Sequence, residues 1–173
     1  MPQSTPLALE RPTVRSLPVA VLASGDRLLL VATQSFVAGA SVIWLDGCVV
    51  TAPTRFTVQL GADIHLDAPP ASSERERMER YPWLFLEHAC RPNTRLGGSD
   101  GRSLLAHAPI AVGDVLTFDY EANEVEMAAP FVCDCGACDG RKVRGYAHLA
   151  PTERALRRDR LSPHLLNRNP NPR

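Results

Sequence analysis

The sequence predicts a β-rich α+β domain, and two observations lead to that fold class. Five short apolar segments lie between residues 27 and 66, and turn residues rather than helical segments separate them. The chain has 173 residues, of which 45% are hydrophobic and 22% charged, and this suits a single globular domain. Strands that follow one another without intervening helices exclude a Rossmann-type architecture.

The five predicted strands follow in order along the first part of the chain. They cover residues 27–32, 42–45, 48–50, 55–60 and 64–66. Ser35 and Gly39 mark a turn after the first strand, and Asp46-Gly47, a strong turn pair, closes the second. Cys48 begins the third strand, and we expect its side chain to lie in the core.

Two helical segments and two irregular ends complete the prediction. Residues 69–80 are polar and charged, and Ser73 is placed to cap one short, solvated helix. Thr152 is the predicted cap of a second helix that runs to about Leu161. The four prolines of residues 1–18 predict an extended arm. The end of the chain from residue 167 alternates Asn, Pro and Arg, and we expect it to be disordered.

Charge and hydropathy exclude several classes of protein. Nineteen Lys and Arg residues balance nineteen Asp and Glu residues, so general electrostatic binding of nucleic acid is not expected. The sequence contains no apolar run long enough to span a membrane, and its first residues lack the pattern of a secretory signal. We therefore expect a cytoplasmic protein with neither a membrane nor a direct nucleic-acid partner.

The cysteines suggest a metal site. Three of the five lie in the Cys-x-Cys-x2-Cys segment of residues 133–138, which places three thiolates within a short stretch of chain. Thiolates in this arrangement are typical ligands of tetrahedral zinc, whereas a disulfide framework needs an oxidising compartment. The alternative is a set of buried, reduced cysteines without metal.

Three segments carry recognisable chemistry. Residues 85–94 read FLEHACRPNT, residues 113–120 read GDVLTFDY, and residues 133–140 read CDCGACDG. In this order, after a β-rich stretch, they resemble the SET-domain family of S-adenosylmethionine (SAM)-dependent methyltransferases. The resemblance covers residues 19–146, and small stand-alone members of this kind are common in bacteria.

The resemblance implies a SET-type fold of short strands in small sheets. Its C-terminal part forms a pseudoknot with the threaded residues 85–93, which is an exception to the rule that chains avoid threading. The implied divisions are an extended N-terminal arm at 1–18, a SET-type domain at 19–128, a post-SET-like zinc tail at 129–147, and a C-terminal helix with a disordered tail at 148–173.

The resemblance also implies the zinc ligands, which are Cys90, Cys133, Cys135 and Cys138. Cys90 would arrive from the segment 85–94 and complete a closed structural site, so that the metal holds the tail against the catalytic core. The chain departs from the family in spacing, because two residues rather than four separate Cys135 from Cys138.

Tyr120 and His88 are the catalytic residues that the resemblance implies. In that family the hydroxyl of this Tyr points at the transferring methyl group and the incoming nucleophile. Methyl transfer from a sulfonium is an in-line displacement, for which the protein mainly supplies alignment and a desolvated channel. The alternative for Tyr120 is a ring that packs at a strand end.

SAM is the implied cofactor, and the chain departs from the family at two places in its site. Residues 27–29 stand where the family has glycines, which let backbone approach a ligand closely. Glu87 replaces the usual Asn, and an ionised Glu accepts hydrogen bonds but donates none. Glu87 can pair with the α-ammonium of SAM, act with His88 as an acid–base pair in different chemistry, or abolish SAM binding. The implied cofactor-binding residues are Leu28, Leu29, Leu30, Glu87, His88 and Tyr146.

The expected function is SAM-dependent methyl transfer to an amine, most often the ε-amine of a protein lysine, with a small-molecule amine as the other acceptor. Two further classes stay open. One is an enzyme that uses the same pocket for different chemistry on a small metabolite, and the other is a catalytically inactive SET-like binding or regulatory protein. The sequence does not name the acceptor, the number of methyl groups transferred or the oligomeric state.

Overall fold

Short strands, paired in small sheets, account for most of the regular structure. The computed structural model describes residues 17–168. The predicted arm lies outside the described residues except for Leu17 and Pro18, and the predicted disordered tail lies outside them from residue 169 onward. The strands are β1 Val19–Ser24, β2 Arg27–Ala32, β3 Ser41–Trp44, β4 Cys48–Val50, β5 Val58–Gln59, β6 His65–Asp67, β7 Glu87–His88, β8 Thr94–Gly97, β9 Ser103–Ala106, β10 Thr117–Phe118, β11 Phe131–Val132 and β12 Lys142–Val143. The helices are α1 Glu74–Arg80, α2 Pro151–Ala155 and α3 Pro163–Arg168, with 3-10 turns at Pro82–Phe85, Tyr120–Ala122, Tyr146–His148 and Arg158–Arg160.

The strands between residues 17 and 168 form five small sheets. β1 and β2 make an antiparallel hairpin, β11 and β12 another antiparallel pair, and β7 and β10 a parallel pair. Two three-stranded antiparallel sheets have the strand orders β3-β9-β8 and β4-β6-β5. This arrangement, with only short helices beside it, confirms the predicted β-rich fold class.

The β1–β2 hairpin opens the described part of the chain. Gly25 takes a φ of +63° in its two-residue turn, a conformation that glycine adopts without strain. β2 has the predicted bounds, and the N–H of Leu116 donates to the carbonyl of Leu30 at 2.8 Å. The sequence analysis missed β1, the second half of which is exposed and carries no alternating pattern.

β4 lies at the edge of its sheet, and Cys48 at its start is exposed. The prediction that Cys48 lies in the core is therefore wrong. Cys48 and Val49 are both exposed, because this strand contributes no side chain to either apolar cluster. The Sγ of Cys48 lies 3.5 Å from the carbonyl oxygen of Asp67.

Ser73 caps α1 as predicted, since its Oγ accepts a hydrogen bond from the N–H of Glu76 at 3.1 Å. The second predicted helix is wrong in start and length. Ala150 rather than Thr152 precedes α2, which is five residues long. Within the predicted span, Leu156 is 74% exposed, whereas Leu161 is buried in the smaller apolar cluster. None of the helices between residues 17 and 168 has the length and apolar character needed to cross a membrane.

Two apolar clusters form the interior of the described chain. The larger one includes the fully buried Leu30, Leu45, Leu66, Leu104 and Leu116. The smaller one consists of Ala122, Tyr146, Leu149, Leu161 and Leu165, with Val125 packed against it. The C-terminal residues therefore pack against the 3-10 turn that begins at Tyr120.

The parallel pair joins the first two motif segments. In this pair His88 of β7 lies opposite Phe118 of β10. Asn93 holds the same two segments together, because its side chain accepts from the N–H of Thr117 and donates to the carbonyl of Val115, each at 2.9 Å. The residues that carry the predicted chemistry are thus fixed against one another by backbone and side-chain hydrogen bonds.

Candidate functional site

A cavity of about 550 Å³ lies where the motif segments meet the cysteine-rich segment. This volume is in the range of small-molecule and cofactor sites. Four of the predicted site residues line it, namely Leu28, Glu87, His88 and Tyr120. The other lining residues are Arg27, Arg55, Phe56, Leu84, Phe85, Leu86, Met127, Ala129, Pro130, Phe131, Val132 and Asp134.

Three predicted cofactor-binding residues do not line this cavity. Leu29 is absent from its walls, and the side chain of Leu30 is fully buried in the larger core. Tyr146 belongs to the smaller cluster, where the guanidinium carbon of Arg154 lies 4.8 Å from the centre of its ring. Their contact with a cofactor stays a prediction, and packing inside the protein accounts for the position of Leu30 and Tyr146.

Arg27 lines the cavity, and the sequence analysis missed it as a site residue. Its guanidinium forms one ion pair with Glu87 and a second, at 3.2 Å, with Asp134. Glu87 therefore faces the cavity with its charge compensated. The sequence marks position 27 only as a missing glycine, and no local signal reveals partners that lie 60 and 107 residues away.

Tyr120 is held in one orientation by two hydrogen bonds. Its hydroxyl donates to the carbonyl of Leu86 at 2.7 Å, and its backbone N–H donates to Nδ1 of His88 at 3.2 Å. Burial, together with the charges of Glu87 and Glu124, raises the pKa of Tyr120, so its hydroxyl stays protonated. Three rings pack around it with centroids at 4.6 to 5.9 Å, those of His88, Phe118 and Phe131.

His88 connects Tyr120 with the cysteine cluster. Nδ1 accepts from the backbone of Tyr120, and Nε2 lies 3.5 Å from the Sγ of Cys90. Burial lowers the pKa of His88 to about 4, so the ring is neutral and carries its proton on Nε2. An acid–base role toward a ligand would require one of these two contacts to break.

The four predicted zinc ligands come together although the spacing differs from that of the family. The Sγ atoms of Cys90, Cys133, Cys135 and Cys138 all lie within 4.8 Å of one another. Zn–S bonds of about 2.3 Å in a tetrahedron place sulfur atoms roughly 3.8 Å apart. The Sγ atoms of Cys90 and Cys133 are 3.8 Å apart, and backbone N–H groups donate to two of the sulfurs at 3.4 and 3.5 Å. The cluster therefore fits a zinc ion.

A second cavity, of about 60 Å³, adjoins Tyr120. Seven residues line both cavities, namely Arg55, Phe56, Leu84, Leu86, Tyr120, Met127 and Ala129. The small cavity is lined by Thr54, Arg55, Phe56, Thr57, Val58, Trp83, Leu84, Leu86, Phe118, Tyr120, Glu124, Met127, Ala128 and Ala129. Most of these side chains are apolar, and the sequence analysis assigned none of them to the site except Tyr120.

Glu124 is the acidic residue of this small cavity, and it is only 8% exposed. Its Oε1 accepts from the backbone N–H of Gln59 at 2.9 Å and from Nδ2 of Asn123 at 2.8 Å. Burial raises the pKa of Glu124 to about 7. Its pairing with Gln59 crosses 65 residues of chain, which explains why the sequence alone does not reveal it.

Comparisons with known proteins support the fold and the chemistry to different extents. No protein-family model matches the sequence. A stretch of 55 residues is 34% identical to the methyltransferase flvH of Aspergillus flavus and covers 31% of each protein. The crystal structure of KRYPTONITE in complex with mCHH DNA, H3(1–15) peptide and SAH matches with a TM-score of 0.54 at 20% identity. That match covers 73% of this chain and 29% of KRYPTONITE.

The structural match confirms the SET-type fold that the three motif segments predict, and the cysteine cluster has the composition of the predicted post-SET zinc site. The chain spans less than a third of the length of either protein.

Proposed function

We propose that this chain is a SAM-dependent methyltransferase that acts on a primary amine, with the ε-amine of a protein lysine as the preferred acceptor. The observation that carries the proposal is the position of Tyr120 in the walls of both cavities. The larger cavity has room for a cofactor and the smaller one for a slender side chain. Methyl transfer needs these two reactants to meet at one point, and Tyr120 brings the tyrosine of the resembled motif to the wall that the two cavities share.

The larger cavity offers charges that complement the amino-acid end of SAM. The ion pair of Arg27 and Glu87 presents a cation for an α-carboxylate and an anion for an α-ammonium. This supports the first of the three roles considered for Glu87. SAM, when bound, supplies an electrophilic methyl group on its sulfonium.

Tyr120 acts in this proposal by orientation rather than as a base. Its hydroxyl donates to the carbonyl of Leu86, so the oxygen lone pairs are left to orient the reacting groups. Its raised pKa means that it retains its proton. The ammonium would release its proton to solvent before transfer, and the neutral amine would then form the N–CH3 bond as the S–CH3 bond breaks and SAH leaves. The apolar walls of the small cavity exclude water from the reacting nitrogen.

The four cysteines would hold a structural zinc ion. Four thiolates leave no open coordination position, so the metal would take no part in the reaction. Its contribution would be to fix the segment from Phe131 to Cys138, since Phe131, Val132 and Asp134 form part of the wall of the larger cavity.

The protein acceptor is supported by the KRYPTONITE complex, which contains an H3(1–15) peptide. The methyltransferase name of the Aspergillus flavus relative supports the reaction but names no acceptor.

The test is methyl transfer from radiolabelled SAM to lysine-containing peptides and to small primary amines. We expect transfer by the wild type and a loss on the order of 10²-fold or more in the Tyr120→Phe variant, with SAM affinity within a few-fold. Tyr81→Phe, which changes a buried Tyr that lines neither cavity, is the matched control. Failure to bind SAM in a calorimetric titration would overturn the proposal in favour of a binding or regulatory protein.

A further inference from the structure

We propose that Glu124 determines acceptor specificity, because its carboxylate lies in the wall of the small cavity and binds the ammonium group of a slender, unbranched amine. The inference deepens the proposed function and rests on it for the identity of the reaction. It assigns to Glu124 a role in acceptor binding, before the amine loses its proton.

The segment that contains Glu124 is rich in buried negative charge. Three carboxylates are buried between residues 119 and 124. Asp119 and Glu121 each form ion pairs with arginines, among them Arg157, which contacts both at 2.9 and 3.4 Å. Glu124 has no cationic partner among residues 17–168. A buried carboxylate without a counter-charge is costly and either takes up a proton or binds a cation, and the cavity gives an external cation access to Glu124.

The two oxygens of the Glu124 carboxylate differ in their hydrogen bonding. Oε1 takes both hydrogen bonds, from Gln59 and Asn123, whereas Oε2 accepts none from the part of the chain that the structure describes. Oε2 is not among the fully enclosed side-chain atoms without a partner, so it has surface that a small molecule in the cavity can reach. Arg55 also lines this cavity, but its guanidinium stacks over the ring of Phe56, with 4.9 Å to the centroid, and forms no ion pair with Glu124. One carboxylate oxygen is therefore available for a ligand.

The small cavity has the volume of a short alkyl chain and a mostly apolar lining. A volume of about 60 Å³ accommodates roughly four or five water-sized atoms, which is the size of an unbranched chain of that length. Val58, Leu86 and Met127 offer apolar contacts for methylene groups. The rings of Trp83, Phe118 and Tyr120 can also face a cation.

The charge of Glu124 can be removed without removing its structural hydrogen bonds. A Gln at this position retains an Oε1 that accepts from the N–H of Gln59, and Gln59 in turn still accepts from the N–H of Val125. Glu126→Gln is the matched control, since Glu126 lies two residues further on, is largely exposed, and pairs with His148 outside both cavities.

The experiment compares two ligands of equal size, n-butylamine and 1-butanol, titrated by NMR into wild type, Glu124→Gln and Glu126→Gln at pH 8 in an amine-free buffer. Butylamine is cationic at this pH, because alkyl ammonium groups have pKa values near ~10.4. We expect the wild type and Glu126→Gln to prefer butylamine on the order of 10-fold or more, and Glu124→Gln to lose the preference. SAM affinity should be the same in all three proteins, while the KM of the methyl acceptor should rise on the order of 10-fold in Glu124→Gln alone.

The outcomes separate this inference from the proposed function. Equal affinity of the wild type for the amine and the alcohol would overturn the inference, whether or not the variant folds. Methyl transfer with an unchanged KM in Glu124→Gln would overturn it and leave the proposed function standing. Absence of methyl transfer together with a Glu124-dependent preference for butylamine would overturn the proposed function and support the cation site.

Discussion

Single residues at the larger cavity carry charges that the SET family pattern does not include. Glu87 takes the place of an Asn, and Arg27 the place of a glycine, and the structure pairs them with each other. The two departures therefore compensate one another electrostatically. Sequence reasoning found Glu87, since it lies inside a recognisable segment, but an ion pair between segments 60 residues apart has no local signal.

The role of Glu87 is tested by Glu87→Gln. We expect SAM binding to weaken by roughly 1–3 kcal/mol, because the neutral amide loses a charge-assisted hydrogen bond to the α-ammonium. Calorimetric titration measures the change, and Glu79→Gln, on the exposed side of α1, is the control. Tighter binding by Glu87→Asn than by the wild type would contradict the account, because it would mean that Glu87 impairs the site.

Glu124 also makes stability depend on pH. Its pKa of about 7 in the folded protein exceeds the ordinary value of 4.5, so the folded state holds a proton that the unfolded state has lost between these two pH values. The contribution of Glu124 to the free energy of unfolding should therefore fall as pH rises from about 4.5 to about 7, by at most about 3 kcal/mol, and then level off. His88, whose pKa burial lowers to about 4, contributes in the opposite direction between about pH 4 and 6.5, so the effect of Glu124 is read from the difference between wild type and a Glu124 variant.

Urea unfolding of wild type and Glu124→Gln at pH 5 and pH 8 measures this contribution. The change in unfolding free energy from pH 5 to pH 8 should be more negative in the wild type than in the variant, because the Gln side chain does not titrate and every other group is shared. Equal changes in the two proteins would show that burial of Glu124 does not perturb its titration.

At the scale of elements, the cysteine-rich segment contributes three of four thiols whose geometry accommodates the zinc ion that the sequence predicts. Purified protein should contain about one zinc ion per chain. Chelation should loosen residues 129–147 and weaken SAM binding, while the β-sheets remain, because a closed thiolate site couples metal binding to local folding. Elemental analysis and hydrogen exchange measure the two effects.

The controls for zinc are two single-cysteine variants. Cys135→Ser should lose the metal, whereas Cys48→Ser, at the exposed cysteine outside the cluster, should retain it. Absence of zinc from freshly purified, reduced protein would contradict the prediction and show that the four thiols are buried reduced cysteines without metal.

The C-terminal elements are held to the Tyr120 segment by buried ion pairs. Arg157 is 6% exposed and contacts Asp119 and Glu121. Arg157→Met should lower the free energy of unfolding by about 3–5 kcal/mol, because two buried carboxylates lose a shared partner. Arg158→Met, at the exposed neighbour, is the control in urea unfolding. A change under about 1 kcal/mol in Arg157→Met would mean that the remaining arginines compensate fully.

An element could be predicted from the sequence when neighbouring residues alone determine it. β2 and the Ser73 cap are defined by neighbouring residues, and both were predicted with the observed bounds or contact. The exposed position of Cys48 depends on which parts of the chain pack on the faces of its sheet, and the local apolar pattern does not reveal that. The continuation of the second helix failed for a related reason, because the chain turns after α2 to bury Leu161 in the smaller cluster.

At the scale of the whole molecule, the SET-type fold gathers residues from distant parts of the chain around one ring. The parallel pair of β7 and β10 places His88 and Tyr120 together, and the cysteine cluster attaches the C-terminal wall to the same segment. The motif segments predicted His88, Tyr120 and the four cysteines as site residues, because each segment is recognisable from a few consecutive residues. The small cavity and Glu124 were not predictable, since they arise only where the loop at residues 54–58 meets the segment after Tyr120.

The most direct test of the account is a crystal structure of the protein with SAH and n-butylamine bound together. The account predicts SAH in the larger cavity, with its amino-acid end between Arg27 and Glu87. The alkyl chain of the amine should occupy the small cavity, and the sulfur and nitrogen should approach each other at the hydroxyl of Tyr120. SAH bound elsewhere, or the amine outside the small cavity, would contradict the central claim that Tyr120 lies where cofactor and acceptor meet.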